Sequence, residues 1–222
     1  MNHLKHVAFI MDGNGRWGRK KNKNRNSGHL EGLKTVKKIV KSSIDLKIPI
    51  LTFYVFSSEN WKRPKNEIFF LFKLINSYFS SEINEVVQQG IKLNILGEIN
   101  KLPKAVKKTF KKCELLTKKN KKIIINLAIN YGSKTEILYA SKRTKGKHNI
   151  KNFEENLYTK RLPNPDILIR TGGYKRLSNF MLWQLAYTEL FFLKKMWPDF
   201  KVNDLKNILK KFEKIQRNFG AI

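Results

Sequence analysis

Six short apolar runs alternate with segments of helical periodicity along this chain, and this alternation constrains the fold more than any other feature. The runs cover residues 6–11, 50–56, 91–96, 123–129, 166–170 and 189–193. Apolar runs of this length between turn residues are typical of buried strands. Strands that alternate with helices form largely parallel sheets covered on both faces. We therefore predict a single α/β domain with a central, mainly parallel six-stranded sheet flanked by helices.

The segments between these runs predict helices. The first candidate carries Leu30, Leu33, Val36, Ile39 and Ile44 at near-helical spacing, behind Ser27 as its N-cap. The others cover residues 66–89, 101–119, 134–142, 152–160 and 203–217. Residues 19–28 are polar and predict no helix start. The segment 66–89 is apolar on all sides, which fits either a core helix or the wall of an apolar tunnel.

A cluster of polar side chains and glycines follows the first predicted strand. It consists of Asp12, Gly13, Asn14, Gly15, Arg16 and Trp17. Open α/β sheets bind ligands at the carboxyl ends of their strands, where this cluster falls. Asp12 can hold Mg²⁺, Arg16 can bind phosphate oxygens, and glycines let backbone N–H groups approach an anion. The cluster therefore predicts a magnesium-diphosphate site.

The same segment also matches a dinucleotide fingerprint. Residues 13–18 read G-x-G-x-x-G after a strand. That motif needs a helix that begins within it and an acidic residue about 20 positions later, at the end of the next strand. We predict no helix here, and the next strand begins only at residue 50. Both observations disfavour a nucleotide-binding oxidoreductase.

The chain is strongly basic. Its 222 residues include 46 lysines and arginines against 17 acidic residues, which gives a net charge of +29. Nucleic-acid binding is one interpretation, but the lysines are spread along the chain and no helix-turn-helix, RRM or zinc-finger pattern accompanies them. We therefore expect no nucleic-acid partner. An anionic membrane surface or polyanionic substrates also fit this charge.

Composition points to a reducing cytoplasm. The one cysteine, Cys113, excludes an internal disulfide and a cysteine metal cluster. The histidines, His3, His6, His29 and His148, have no zinc-ligand spacing. No apolar span reaches 18 residues, and the first strand follows the start of the chain too closely for a signal peptide.

Further polar loops follow other predicted strands. They are residues 57–64, 130–132, 170–179 and 197–200. One such loop is easily explained as a turn, but several at the carboxyl ends of strands in one sheet predict a shared anion site.

The chain resembles the cis-prenyltransferases of the undecaprenyl (polyprenyl) diphosphate synthase family. The resemblance is carried, in the family's order, by HVAFIMDGNGRW at 6–17, FSSENWKRP at 56–64, NYG at 130–132, RTGG at 170–173, RLSNF at 176–180, LWQLAYTEL at 182–190 and WPDF at 197–200. It covers essentially the whole chain. It implies a Mg²⁺-dependent enzyme that adds isopentenyl diphosphate repeatedly to an allylic diphosphate such as farnesyl diphosphate. Each addition makes a Z double bond and releases pyrophosphate.

The resemblance also assigns roles to residues. It implies Asp12 and Glu189 as magnesium ligands, and Asp12, His29 and Asn60 as catalytic residues. For the substrates it implies Gly13, Asn14, Gly15, Arg16, Trp17, Arg25 and His29 around the allylic diphosphate, Ser57, Ser58, Glu59, Asn60, Trp61 and Arg63 in a closing loop, and Arg170, Arg176 and Ser178 at the isopentenyl diphosphate. Core packing remains an alternative for Trp17 and Trp61, as does a structural role for His29.

One position departs from the family pattern. An acidic residue usually follows Arg-Thr-Gly-Gly, but this chain has Tyr174 there. The departure removes a negative charge beside a diphosphate site, and it bears on magnesium stoichiometry and on affinity for isopentenyl diphosphate.

A growing polyprenyl chain needs an apolar tunnel. The predicted walls are Leu51, Phe53, Val55, Phe69, Phe70, Phe72, Leu74, Ile95 and Ile125. The resemblance further implies a homodimer with a C-terminal segment like residues 217–220 at its interface, and peripheral contact with the inner face of the membrane. The expected product is an undecaprenyl-type lipid carrier for cell-wall synthesis. A shorter polyprenyl, a glycosylation carrier and a catalytically inactive scaffold subunit stay as alternatives.

Overall fold

A computed structural model describes residues 4–147 and 149–217, and its centre is a six-stranded sheet. The strands are β1 (His6–Ile10), β2 (Ile50–Ser57), β3 (Ile91–Leu96), β4 (Ile123–Tyr131), β5 (Ile167–Arg170) and β6 (Glu189–Phe192). Their order is β3-β4-β2-β1-β5-β6, and every neighbouring pair is parallel. This arrangement confirms the predicted α/β sheet and all six predicted strands.

In the described part of the chain, seven helices connect and cover the strands. They are α1 (Asn14–Lys20), α2 (Arg25–Asp45), α3 (Lys65–Gln88), α4 (Lys104–Thr117), α5 (Ser133–Arg143), α6 (Ile150–Glu154) and α7 (Val202–Glu213). A 3-10 helix, Ser58–Lys62, follows β2. Helix α6 is shorter than the helix predicted over residues 152–160 and begins earlier in the chain. The helix predicted over residues 101–119 is preceded by a separate 3-10 turn, Ile99–Lys101, which takes up its first residue.

The predictions that residues 19–28 start no helix and that none begins within the glycine-rich motif were wrong. Helix α1 begins inside the glycine-rich motif, and α2 begins at Arg25 with Asn24, not Ser27, as its N-cap. The Asn24 side chain accepts a hydrogen bond from the Ser27 backbone N–H, which satisfies one of the unpaired donors at a helix start. The two helices pack against each other, so tertiary contact stabilises helices that polar composition alone does not favour.

The two faces of the sheet carry separate cores. Phe9, Phe53 and Leu127 belong to the larger core, which also includes residues of α2, α3, α4 and α7. Ala8 and Leu168 point to the opposite face, where Phe180 and Met181 cover them. Side chains alternate between faces along each strand, and burial on both faces explains the continuous apolar runs of the sequence.

A chain of buried polar side chains crosses the sheet. The His6 Nδ1 atom lies 2.8 Å from the Pro163 carbonyl oxygen, and its Nε2 lies 2.7 Å from Thr52 Oγ1. The Asn126 amide donates to the same Thr52 oxygen at 2.9 Å and accepts from Asn94 at 2.9 Å. A carbonyl can only accept, so Nδ1 carries the proton and Nε2 accepts from the Thr52 hydroxyl. His6 is therefore neutral in the folded protein.

We expect His6 to make the folded state sensitive to acid. Burial lowers its pKa to about 4, whereas an unfolded histidine titrates near 6.5. Below pH 6.5 the unfolded chain binds a proton that the folded chain does not, so stability falls until the pH reaches the folded pKa. The free energy of unfolding should drop by about 2 kcal/mol between pH 7 and pH 5 through this group. Urea unfolding at both pH values should show the drop, and a His6→Asn variant should lack it. An equal change in the free energy of unfolding with pH in both proteins would contradict this role of His6.

Among residues 4–147 and 149–217, no helix is long and apolar enough to cross a membrane. His3, His148 and positions 218–220 of the predicted interface tail lie outside the described residues.

Candidate active site

Asp12 lies just past the carboxyl end of β1, between two arginines. Its Oδ1 accepts from Arg16 Nη2 at 3.2 Å, and its Oδ2 accepts from Arg170 Nη2 at 2.9 Å. Arg16 also donates to the Gly172 carbonyl at 2.8 Å. Because β1 and β5 are parallel neighbours with Ile10 beside Arg170, the two strands deliver these side chains to one edge of the sheet. The structure thus brings Asp12, Arg16 and Arg170 together, as predicted.

Arg170 is held rigidly. Its side chain is 4% exposed, and its Nη1 donates to Ser178 Oγ at 2.8 Å and to the Arg176 carbonyl oxygen. The Thr171 hydroxyl donates to the Asp12 carbonyl at 2.8 Å, which ties the two loops together. A buried guanidinium with fixed partners is preorganised for bidentate contact with a phosphate.

Two glycines let the backbone at the start of α1 take this form. Gly13 has φ of +106°, a conformation that residues with a Cβ rarely adopt, and Met196 lies against it. A Cβ at Gly15 would lie 2.7 Å from the Arg25 Cζ, so only glycine leaves room for that guanidinium. Gly13 and Gly15 thus shape the site without lining its cavity.

Glu67, near the start of α3, is a site residue that the sequence analysis missed. Its carboxylate accepts from Arg25 Nε at 2.9 Å and Nη2 at 3.0 Å, and from Arg63 Nη1 at 3.2 Å. The His29 Nε2 lies 3.3 Å from the same carboxylate. Glu67 is only 5% exposed. One buried carboxylate therefore positions three of the predicted substrate residues.

Burial and charge set the protonation states in this cluster. Desolvation lowers the pKa of His29 and outweighs the opposing hydrogen bond to Glu67. Burial alone would raise the pKa of Glu67, but the Arg25 hydrogen bonds and charge bring it below its usual value. At neutral pH His29 is therefore neutral beside an ionised Glu67. Its Nε2–H then donates to the carboxylate, which leaves Nδ1 as the acceptor nitrogen.

The predicted closing loop forms the 3-10 helix Ser58–Lys62. Asn60 accepts a hydrogen bond from the Ser57 backbone N–H at 3.0 Å, and the two form a capping box. Glu59 accepts from the Asn179 amide at 2.7 Å, which links this loop to the one after β5. The Trp61 indole donates to Asn130 Oδ1 at 2.8 Å, and its ring packs on Phe56 and Phe72.

A polar cavity of about 320 Å³ lies at the centre of this site. Nine of the predicted residues line it: Asp12, Asn14, His29, Ser57, Asn60, Arg63, Arg170, Arg176 and Ser178. Arg16 contacts the lining residue Asp12, and Arg25 is joined to the lining residues His29 and Arg63 through their shared partner Glu67. Ser58, Glu59 and Trp61 do not line the cavity. Trp17 donates to Asp199 Oδ1 at 2.8 Å and does not line the cavity. Trp61 is 38% exposed and Trp17 is half-buried, so neither is a core side chain, and their roles at the substrate stay predictions.

Two apolar cavities continue from the polar one between α2, α3 and the sheet. The first, of about 120 Å³, shares Met11, Val55 and Leu71 with the polar cavity. The second, of about 280 Å³, shares Val36, Tyr78, Phe79 and Leu127 with the first and reaches Gln89 and Ile91 near the amino end of β3. This series is the predicted apolar tunnel.

The predicted tunnel walls were partly wrong. Phe53, Val55, Leu74 and Ile125 line the apolar cavities. Leu51, Phe69, Phe70, Phe72 and Ile95 do not. Phe69 is 72% exposed because it lies on the outer side of α3. The helix is therefore both a core helix and a tunnel wall, with one face turned to solvent.

Glu189 does not join Asp12 within one chain. It begins β6 in register with Ile167, three residues before the Arg170 that contacts Asp12. Those three residues span about 10 Å of extended backbone, so Glu189 lies toward the opposite edge of the sheet. Its carboxylate faces Arg217 Nε at 4.0 Å instead. Within one chain the structure therefore does not bring Glu189 to the magnesium site predicted at Asp12, because Glu189 starts its strand and Asp12 lies past the carboxyl end of β1.

The donor set at Asp12 fits a magnesium ion bound with a diphosphate. Among the described residues, no group of three or more His, Cys, Asp or Glu could hold a metal ion alone. Asp12 offers one carboxylate, 26% exposed, on a cavity that is also lined by Asn14 and three arginines. The Asn14 Oδ1 is buried without a hydrogen-bond partner. One carboxylate with substrate phosphate oxygens is the usual way in which proteins bind Mg²⁺.

Known proteins match this fold and site. A family model described as "Putative undecaprenyl diphosphate synthase" matches residues 10–220. The isoprenyl transferases of Bacillus subtilis and Oceanobacillus iheyensis are 42% and 40% identical to this chain; the alignments cover 98% of it and 87% and 90% of those proteins.

Solved structures of similar proteins have the same fold. The lavandulyl diphosphate synthase of Lavandula x intermedia, solved with dimethylallyl diphosphate, superposes with a TM-score of 0.94 at 32% identity and 98% coverage of both chains. A probable undecaprenyl diphosphate synthase from Campylobacter jejuni gives 0.85 at 35% identity over the full length of both.

Proposed function

Because the chain belongs to the undecaprenyl diphosphate synthase family and is a prenyltransferase, we propose that it elongates farnesyl diphosphate with isopentenyl diphosphate. The product is a Z-polyprenyl diphosphate. The observation that carries this proposal is the arrangement of the cavities. A polar, arginine-lined cavity at Asp12 adjoins an apolar cavity, which adjoins a second apolar cavity. This series matches a substrate with a diphosphate head and a growing hydrocarbon tail.

The allylic substrate takes the side of the site nearest the tunnel. Asn14 and His29 line both the polar cavity and the first apolar one. A diphosphate between Asp12 and the start of α1 would therefore place its hydrocarbon between α2 and α3. Burying an isoprene unit there removes about five carbons from water, worth about 3–4 kcal/mol as an upper value. Intermediates should remain bound while the chain grows.

The isopentenyl diphosphate takes the arginine side. Arg170 and Arg176 line the polar cavity with Ser178 and supply guanidinium and hydroxyl groups for its diphosphate. Holding two substrates at one cavity converts their encounter into an intramolecular step. Neutral His29 presents an acceptor nitrogen at the same cavity and is a candidate to receive the proton that the new double bond releases.

Magnesium is the proposed cofactor. Asp12 would hold it together with diphosphate oxygens, and Asn14 lies close enough to the same cavity to orient them. When bound, Mg²⁺ neutralises the charge that develops on the departing pyrophosphate. The protein's own contribution is to place Asp12 between two guanidiniums, so that the carboxylate points into the cavity.

A chromatographic product assay tests the proposal. Purified protein is incubated with farnesyl diphosphate, labelled isopentenyl diphosphate and Mg²⁺, and in parallel with EDTA. We expect a ladder of products that ends at one length and disappears with EDTA. Absence of incorporation with farnesyl, geranyl and dimethylallyl diphosphate would reject the proposal and favour a scaffold subunit.

Product length should depend on the junction between the apolar cavities. Val36 lines both of them, so the larger side chain of Val36→Phe should narrow the passage and shorten the main product by several isoprene units. Overpacking should cost about 1–3 kcal/mol of stability. Chromatography of the products checks the length, and Leu30→Phe, at an exposed position of the same helix, is the control. An unchanged product length would show that the tail follows another route.

The setting of the reaction is also proposed. The lipid product fits an undecaprenyl-type carrier for cell-wall synthesis, with a shorter or glycosylation carrier as the alternative. A homodimer in the cytoplasm, in peripheral contact with the membrane, would deliver it, and the +29 charge would attract an anionic lipid surface. Size-exclusion chromatography with light scattering and vesicle sedimentation test these two points.

The alternative functions find less support. A helix does begin inside the G-x-G-x-x-G segment, so that argument against a dinucleotide site no longer holds. The distance to β2 still argues against a dinucleotide site, because β2 begins at Ile50, far beyond the spacing that the motif requires. We still propose no nucleic-acid partner.

A further inference from the structure

The aromatic ring of Tyr174 lies against three arginines of the candidate active site. The Tyr174 ring centre lies 4.1 Å from the Arg176 Cζ, 4.7 Å from the Arg16 Cζ and 5.9 Å from the Arg170 Cζ. These distances are within the range in which a guanidinium is attracted to the face of a ring. Three cations around one tyrosine exceed what a chance surface contact provides.

The guanidiniums of this cluster repel one another, so a further group is needed to hold them together. Two of the guanidiniums bond Asp12 and the third lies on the same ring, so three cations and one carboxylate leave the group an excess of two positive charges. Arg170 and Arg16 each bond Asp12, whereas Arg176 has its guanidinium closest to the ring. The ring face attracts cations through its quadrupole without contributing a full negative charge. It can therefore hold the arginines together and leave their charge available to an anion.

The backbone fixes the ring in this place. Tyr174 follows Gly172 and Gly173, which have φ of +87° and +86°. The Gly172 N–H donates to the Lys195 carbonyl at 2.7 Å, and the Gly173 N–H donates to the Leu193 carbonyl at 2.8 Å. The turn is thereby anchored to the segment after β6 immediately before the tyrosine.

We propose that Tyr174 is a positioning residue, whose ring holds Arg176 and Arg170 in the geometry that binds the diphosphate of isopentenyl diphosphate. An acidic side chain at this position would pair with the same guanidiniums and compete with the substrate anion. The uncharged ring assembles them without that competition. The identity of the substrate rests on the proposed function. The binding of a diphosphate by these arginines does not depend on it.

Four variants separate the possible roles of the side chain. Tyr174→Phe keeps the ring and removes the hydroxyl. Tyr174→Leu keeps apolar bulk and removes the ring, and Tyr174→Glu adds an anion. Lys175→Ala, at the exposed neighbouring position, is the matched control because its side chain does not line the cavity. Tyr174 itself is 42% exposed, so none of these changes should alter the thermal unfolding of the protein greatly.

Binding of inorganic pyrophosphate in EDTA, measured by calorimetry, is the first readout. We expect the Kd for pyrophosphate of Tyr174→Phe and of the Lys175→Ala control to stay within twofold of wild type. Tyr174→Leu should weaken binding about five- to tenfold, and Tyr174→Glu should weaken it further. Steady-state kinetics are the second readout. There Leu should raise the KM for isopentenyl diphosphate by a similar factor with little change in kcat, and Phe should restore it.

Each outcome decides the inference. Equal binding by the Leu variant and wild type would overturn it, as would a Phe variant as weak as Leu, since the hydroxyl would then be responsible. Absence of pyrophosphate binding by wild type would also overturn it. If wild type shows no turnover but the binding series follows the expected order, the proposed function fails and this inference stands.

Discussion

Replacing Asp12 with asparagine should lower kcat/KM by about 10²-fold or more. Among the residues that the structure describes, Asp12 carries the one carboxylate that lines the polar cavity, and it lies between Arg16 and Arg170. Asparagine keeps its size and can still accept from one arginine, so the loss reports the negative charge that would anchor the metal. Steady-state assays with saturating Mg²⁺ measure the effect, and turnover within threefold of wild type would refute this role.

A metal-free measurement distinguishes this role from a structural one. If Asp12 serves the metal, pyrophosphate binding in EDTA should not weaken in Asp12→Asn, because the two guanidiniums lose a competing anion. Asp45→Asn, an exposed aspartate at the end of α2, is the matched control and should keep wild-type activity. A general loss of folding would instead lower the thermal stability and weaken pyrophosphate binding together.

The sequence predicted the sheet because its strands are buried on both faces. Continuous apolar runs such as those of β1 and β2 identify a strand without reference to its neighbours. Helix α1 was missed because six of its seven residues are polar or glycine, and its stability comes from packing on α2. Local composition cannot report such a contact.

The site was predictable where a residue's position along the chain determines its position in space. Asp12 and Arg170 follow parallel neighbouring strands, so they meet. Glu189 did not follow this rule, since it starts its strand. Glu67 had no signal at all, because an acidic residue in the first turn of a helix is ordinarily explained by the helix dipole. Only tertiary structure shows that it faces Arg25, Arg63 and His29.

Replacing Glu67 with glutamine should impair both stability and substrate binding. The carboxylate is buried, and it is the shared counter-ion of Arg25 and Arg63. Removing one member of a buried ion pair costs about 3–5 kcal/mol, but both arginines are about one-third exposed and can be hydrated. We therefore expect a loss of about 2 kcal/mol in the free energy of unfolding, measured by urea denaturation. Glu31→Gln, which loses an exposed pair with Lys34, should change it by less than about 0.5 kcal/mol.

The kinetic effect of Glu67→Gln should be selective. Arg25 and His29 lie on the allylic side of the site, whereas Arg170 and Arg176 have no contact with Glu67 among the described hydrogen bonds and ion pairs. Misplaced guanidiniums should lower kcat/KM for farnesyl diphosphate by about 10- to 100-fold, and the KM for isopentenyl diphosphate should change much less. Equal loss toward both substrates would mean that Glu67 supports the fold as a whole. Its carboxylate would then have no specific part in orienting the allylic diphosphate.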